Sequence, residues 1–274
     1  ADSRQLYRGL RAGSAQPSPA ELAAAPHHLY ETLDPAEACS AGAFRALALP
    51  VMRAIASRGR LPLLVGGTGL YLKALGGAWS LAPQAPAALV AGLEARATRE
   101  GAPALWEELA HRDPATSRRV HPRDAYRIVR ALAVLESTGA PISAWRGEAA
   151  AGEPPAALIV LNRPRPELYG RIDARAAHTM DAGMLAEASA LRDRGLDPAR
   201  PPLNAIGYRH CARVLDGSLP PADAAALVAR DTRRYAKRQL TWLRGQAGAL
   251  WIEAGEDPEA DALRVAAAIR DRLS

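Results

Sequence analysis

The chain has 274 residues, 49% apolar and 23% charged, a length and balance that admit one sizeable core, or a core with an appended domain, and exclude wholesale disorder. Its longest apolar runs, residues 61–65 and 156–161, are far too short to span a bilayer, and no charged segment leads into an apolar one at the start, so a cytoplasmic protein without membrane association is expected. Cys39 and Cys211 lie far apart in no CxxC or Cys/His cluster, which argues against a zinc module or a disulfide framework.

The net charge of +6 is concentrated. Residues 118–130 hold five arginines against one aspartate, residues 230–244 hold six basic residues against one aspartate, and the rest is slightly acidic. Two short basic segments suit a protein that meets phosphates at defined places, and equally two solvated helix faces.

In chain order, Ala1-Asp2-Ser3-Arg4-Gln5-Leu6-Tyr7 reads as the end of a strand already under way, with something upstream missing. Phe44, Leu47, Val51 and Ile55 recur at helical spacing, with Pro50 expected to kink or break that helix and Ser57-Arg58-Gly59-Arg60 to end it. Leu61 to Val65 reads as a strand, Gly66-Gly67-Thr68-Gly69 as a glycine-rich turn, and Leu70 to Leu75 as a helix; this order predicts an α/β architecture with a parallel sheet. From about Pro83 to Gly139 strand signals vanish, and Leu89, Leu93, Leu105, Leu109, Ile128, Leu132 and Leu135 mark a helical insertion, assigned residues 84–140. Residues 1–83 and 141–274 are assigned to the α/β core, which resumes after a linker ending at Pro154-Pro155 with a strand at Ala156 to Leu161. A long helix follows from about Glu167, and the last third is helical apart from a short strand at Ala249 to Ile252.

Several segments carry possible chemistry. Asp2 places a carboxylate where a parallel strand would end, the edge at which open α/β sheets bind ligands, although Asp-Ser is also ordinary turn chemistry. Gly66-Gly67-Thr68-Gly69 lets backbone approach a ligand with Thr68 as a hydrogen-bonding group, and is equally a tight turn. No GxxxxGK[ST] phosphate loop occurs in the sequence. Arg123, Arg127 and Arg130 share a helical face near Tyr126, an arrangement suited to an RNA backbone and a stacked base. Arg171, Arg175 and His178 are spaced to neutralise a pyrophosphate or to form exposed ion pairs with Asp173 and Glu167. Asn204-Ala205-Ile206-Gly207-Tyr208-Arg209 is a compact polar and aromatic turn, and residues 232–244 interleave Tyr235 and Trp242 with Arg230, Arg233, Lys237 and Arg244, the mix that single-stranded RNA recognition uses.

Together DSRQLY, PHHL with LDP, GGTGLYLKAL, HPRDAYRIVRAL, GYR and TRRYAKRQLTWLR, in this order from Asp2 to about Trp251, resemble the bacterial tRNA dimethylallyltransferase family. The resemblance implies a P-loop kinase-like, nucleotide-binding parallel sheet flanked by helices, with an all-helical insertion for tRNA binding. It implies transfer of a dimethylallyl group from dimethylallyl diphosphate to N6 of the adenosine 3′ to the anticodon, position 37. By the same resemblance Asp2 is the general base and Thr68 lies beside the substrate nucleotide. Asp2, Ser3, Arg4, Gln5, Thr68, Tyr126, Arg127, Ile128, Val129 and Arg130 would contact the anticodon stem-loop. So would Asn204, Ala205, Ile206, Gly207, Tyr208, Arg209, Lys237, Arg238, Gln239, Leu240, Thr241, Trp242, Leu243 and Arg244. Arg171, Arg175 and Arg233 are candidates for the diphosphate, with Mg²⁺ as cofactor and the protein acting as a monomer.

The sequence departs from the family pattern in three residues, Gln16, Pro50 and Val90, the last standing where an RNA-contacting arginine is expected. The family's phosphate-binding loop precedes the DSRQ motif, so the first strand and P-loop are expected to be missing here. That leaves a second reading open, a tRNA-binding remnant without catalysis, to be told from the first by turnover. A prenyltransferase acting on free adenine nucleotides fits the two basic segments less well.

Overall fold

The computed structural model describes residues 1–76, 82–146 and 157–273, and they divide into two compact units, residues 1–75 with 155–274 and residues 76–154. The first unit opens with an irregular segment and then α1 (Pro19–Ala24), α2 (Ala41–Ala56) and α3 (Gly69–Leu75). The second holds α4 (Ala87–Glu100), α5 (Ala102–Arg112), α6 (Pro114–Ser117) and α7 (Ala125–Thr138). The chain then returns to the first unit with β1 (Ile159–Asn162), α8 (Arg165–Thr179), α9 (Leu185–Asp193), α10 (Tyr208–Leu215), α11 (Pro221–Arg244), β2 (Leu250–Glu253) and α12 (Pro258–Leu273).

Strands β1 and β2 pair in parallel, Ile159 with Leu250 through Asn162 with Glu253, and they are the only sheet among the described residues. The linker at Pro154-Pro155 and the expected first strand residue, Ala156, lie outside the described residues. The strand expected at residues 61–65 carries no ladder among the described residues. Its one inter-segment backbone bond runs from the Ala1 nitrogen to the Val65 carbonyl, and Leu63 and Val65 are 66% and 69% exposed. An apolar run becomes a strand only when neighbours take its N–H and C=O groups, and here a single residue does so.

Burial in the first unit centres on the start of the chain: Leu6, Tyr7 and Leu10 pack with Phe44, Tyr71, Met184, Leu203, Tyr208 and Cys211. Phe44 stacks on Tyr71 at 4.0 Å between centroids, the Tyr71 hydroxyl donates to the Cys39 carbonyl, and the Tyr7 hydroxyl accepts from the Cys39 N–H. Helices α8 and α9 are joined by a π-helical turn at Met180–Met184 in which Gly183 takes φ +100°, so the long helix expected after Glu167 is interrupted there.

In the second unit Leu93, Leu105, Leu109, Ile128 and Leu132 form the core, with Val90 packed at its edge. Residues 141–146 belong to this unit, because Ile142 joins its core and the Ser143 N–H donates to the buried Asp113 carboxylate. Ala82 is likewise tied in, its carbonyl accepting from Arg130 at 2.9 Å.

Pro50 neither breaks nor ends α2, which runs through it. Pro50 and Ala46, four residues earlier, are both exposed, so the carbonyl that loses its helical donor faces water. The cost of a helix-interior proline remains. Pro50→Ala should therefore stabilise the protein by about 1–2 kcal/mol, after allowance for the freer unfolded chain, read as a higher urea midpoint at constant m-value.

Candidate acceptor site in the first unit

The residues of the DSRQ segment and the glycine loop meet by main-chain contacts. One oxygen of Asp2 accepts from the Arg4 N–H at 2.7 Å and the Gln5 N–H at 3.3 Å, an Asx-type turn that fixes the carboxylate and leaves its other oxygen without a partner among the described residues. The Ser3 N–H donates to Thr68 Oγ1 at 3.1 Å, and the Thr68 N–H returns to the Ala1 carbonyl at 3.2 Å. Asp2 and Thr68 are thereby held close together.

Helix α11 closes the other side of the loop. Gln239 Nε2 donates to the Gly67 carbonyl at 3.0 Å, and a Cβ on Gly67 would collide with that amide. A Cβ on Gly69 would come within 2.6 Å of the Trp242 ring, and one on Gly66, at φ +145°, within 2.5 Å of the Ala1 backbone. Gly66 and Gly69 are thus required by close approach, whereas a Cβ at Gly67 would displace the end of the Gln239 side chain from its carbonyl. Tyr235, one helical turn before Gln239, brings its hydroxyl to the side chains of Gln239 and Thr68, and burial followed by the Asp2 charge raises its pKa. Tyr235 was read as an aromatic among the basic residues of 232–244 but not placed beside Asp2 and Thr68. The signal was available, since Tyr235, Gln239 and Trp242 recur at i, i+4 and i+7.

Other expected contact residues prove to be engaged within the protein. The Arg4 guanidinium donates to the Pro202 carbonyl and to Asn204 Oδ1, joining the DSRQ segment to the 204–209 turn. The Gln5 side chain donates to the carbonyls of Ser14 and Ala15. Ala205, Gly207 and Tyr208 are buried, and the Tyr208 hydroxyl donates to Glu187 at 2.6 Å while accepting from the Gly13 N–H. Ile206 is half-buried against the core. These residues shape the site and offer few free donors.

The basic face is sorted by one carboxylate. Asp231, 8% exposed, accepts from Arg209 at 2.5 Å, from Arg230 at 3.0 Å and from His210 Nε2 at 3.2 Å, with Arg234 at 3.6 Å. The Gly207 N–H donates to His210 Nδ1, so the network assigns the ring proton to Nε2. Burial alone would raise the Asp231 pKa, but the Arg230 and Arg209 hydrogen bonds outweigh it and hold it at about 2. Burial, then the Arg209 charge, lowers that of His210. Beyond Asp231, Lys237, Arg238, Thr241 and Arg244 are exposed along α11, with the Arg238 guanidinium over the Tyr235 ring.

Arg233 is ion-paired with Asp173 and lies 5.9 Å from the Tyr169 ring centroid. Arg171 and Arg175 are exposed on α8. Arg171 borders a cavity of about 380 Å³ floored by Val160, Leu161, Leu168, Leu240 and Leu243, with Gln239 at its edge.

In the second unit, Asp124 caps α7 and pairs with Arg127, Tyr126 is 80% exposed, and Arg130 is turned inward to Ala82. Ile128 and Val129 are buried, so their side chains hold the helix and do not reach a surface.

Comparison with known proteins follows the same lines. The model of the IPP transferase family matches residues 5–246. The chain is 45% identical over 268 residues to the tRNA dimethylallyltransferase of Anaeromyxobacter dehalogenans strain 2CP-C, covering 97% of this chain and 89% of the relative. It is 43% identical to the enzyme of that name from Geobacter sulfurreducens, covering 92% and 82%. The crystal structure of the tRNA isopentenylpyrophosphate transferase of Bacillus halodurans superposes with a TM-score of 0.70 at 35% identity, over 99% of this chain and 86% of that one. A eukaryotic dimethylallyltransferase crystallised acting on tRNA shares the fold, with a TM-score of 0.80 at 22% identity, over 100% of this chain and 71% of that one.

The Asp231 cluster sets a pH dependence. Both folded-state pKa values lie below the ordinary ones, so both groups contribute stability at neutral pH that is lost on acidification. The melting temperature should begin to fall below about pH 6.5 as the unfolded state gains the His210 proton, and the advantage of the wild type over Asp231→Asn should shrink between pH 4 and pH 2. Thermal melts of both proteins across this range check it.

Proposed function

This chain belongs to the IPP transferase family, and we propose from that premise that it prenylates tRNA at N6 of the adenosine 3′-adjacent to the anticodon, position 37, using dimethylallyl diphosphate. The observation that carries the reading is the pairing of Asp2 with Thr68 through the Ser3 bridge, beside the aromatic and basic face of α11.

The exocyclic amine of adenine attacks C1 of the dimethylallyl group. The new N–C bond forms as the C–O bond to the diphosphate breaks, and the bonding pair leaves with the diphosphate. The amine gains acidity only as it alkylates, so the free oxygen of Asp2 need only be in place to take the proton. The adenine has to leave its stack to reach this oxygen, and Lys237, Arg238 and Arg244, exposed on α11, then hold the phosphates of the anticodon stem-loop.

For the donor, the cavity beside Arg171 combines an apolar floor suited to a five-carbon chain with a cation suited to phosphate. Arg175 supplies a second charge on the same helix face, while Arg233 is committed to Asp173. Mg²⁺ held chiefly by the diphosphate oxygens and water would share the leaving charge with these arginines. No helix among the described residues is long and apolar enough to cross a membrane. We take the protein to act as a cytoplasmic monomer.

Incubation with tRNA and dimethylallyl diphosphate, followed by nucleoside mass spectrometry, should reveal N6-dimethylallyladenosine next to the anticodon; an unmodified adenosine there would sink the reading. Asp2→Asn should lower kcat by about 10²-fold or more with tRNA affinity nearly unchanged. Arg171→Ala should raise KM for the donor about tenfold, measured by initial rates at saturating tRNA, with a smaller effect for Arg233→Ala.

A further inference from the structure

Asp2 is held by main chain, and that main chain is in turn held by side chains. The N–H groups of Arg4 and Gln5 donate to the same Asp2 oxygen, at 2.7 and 3.3 Å, so the direction of its other oxygen follows the two peptides that carry them. The Cα of Arg4 lies between those peptides, and whatever fixes its side chain restrains both. The guanidinium ends on a distant part of the chain. Nη1 donates to the Pro202 carbonyl at 3.1 Å, and Nη2 reaches Asn204 Oδ1 at 3.5 Å. That anchor is itself fixed: Leu203 and Ala205 are 4% and 8% exposed, and the Gly207 N–H donates to His210 Nδ1 at 3.3 Å. The next residue is tied elsewhere, the Gln5 amide donating to the Ser14 and Ala15 carbonyls at 3.3 and 2.7 Å.

We infer that Arg4 is a positioning residue for Asp2: its guanidinium, forked onto Pro202 and Asn204, holds the two N–H groups that aim the carboxylate, and it is not a contact to RNA phosphate. The inference rests on the prenyl-transfer reading above, in which the free oxygen of Asp2 takes the amine proton. Proton transfer needs that oxygen within hydrogen-bond reach of the amine, and a misplacement of about 1 Å costs on the order of 10²-fold in rate. Bridging two acceptors from one side chain is what the planar arginine fork supplies, and a lysine ammonium on a flexible stem does not replace it. A phosphate, by contrast, accepts lysine as a point charge. The two roles therefore respond differently to the same exchange of cations.

Arg4→Lys keeps the charge and loses the fork. It should lower kcat by roughly tenfold or more, with the Kd for tRNA and its dependence on salt unchanged. Asn204→Ala, which removes one acceptor and no charge, should lower kcat by less, and Asn204→Asp, which offers the fork a charged acceptor, should lower it least. In the Asp2→Asn background the amide oxygen still accepts both N–H groups but the base is gone, so Arg4→Lys should add almost nothing. The melting temperature of each variant is the control for folding, and if Arg4→Lys fails it, the order of the two Asn204 variants decides. A wild-type kcat for Arg4→Lys, a weakened Kd with a salt slope smaller by about one, an additive loss in the Asp2→Asn background, or an Asn204→Asp worse than Asn204→Ala would each overturn the inference. If the unsubstituted protein yields no prenylated adenosine, the prenyl-transfer reading fails and takes this inference with it. If it yields product and Arg4→Lys matches it, the inference alone fails.

Discussion

The first unit depends on the approach of one helix to one loop. Gly66, Gly67 and Gly69 bring the loop backbone against Ala1, Gln239 and Trp242 at separations that leave no room for a side chain. From this contact follow the seat of Thr68, the bond from Ser3 to Thr68, and hence the position of Asp2. A residue with a Cβ at Gly66 or Gly69 would have to push the DSRQ segment or Trp242 away, and one at Gly67 would displace the Gln239 amide from the loop carbonyl.

Helix α11 divides its sides between two tasks. Ala224, Val228, Asp231, Gln239 and Trp242 face the protein, while Arg234, Lys237, Thr241 and Arg244 face solvent. Asp231 separates the two sets: it draws in Arg209 and Arg230 and fixes the His210 tautomer, leaving the cations further along the helix available to phosphate. A buried carboxylate under a basic face also offsets the mutual repulsion of the arginines, which would otherwise oppose packing α10 beside α11.

The helices were largely legible because their signals are local. Leu93, Leu105, Leu109, Ile128 and Leu132 repeat at helical spacings and fall in one core, β2 lies one residue from the apolar run that marked it, and β1 starts three residues into its run. Residues 61–65 carried the same apolar signal yet form no ladder, because pairing is decided by neighbours a sequence window does not contain. The meeting of Asp2 with Thr68 could be expected from family resemblance but not from spacing, with 65 residues between the bonded partners Ser3 and Thr68. Which cations are free was illegible. Arg4, Arg130, Arg209 and Arg233 look like their neighbours in sequence, and only the structure shows each spent on a carbonyl or carboxylate.

The bonds from Arg4 to Pro202 and Asn204 span about two hundred residues, with the helical unit lying between them in sequence. On the ribosome the acid and the threonine of the site are made before the helix that closes over them. The helical unit, built from local contacts, can form during that interval, whereas Leu6, Tyr7 and Leu10 must wait for Leu203, Tyr208 and Cys211 to cover them. A nascent chain stalled before α11 therefore has the bonds between the Asp2 segment and the glycine loop but lacks Gln239 and Trp242 to close over them.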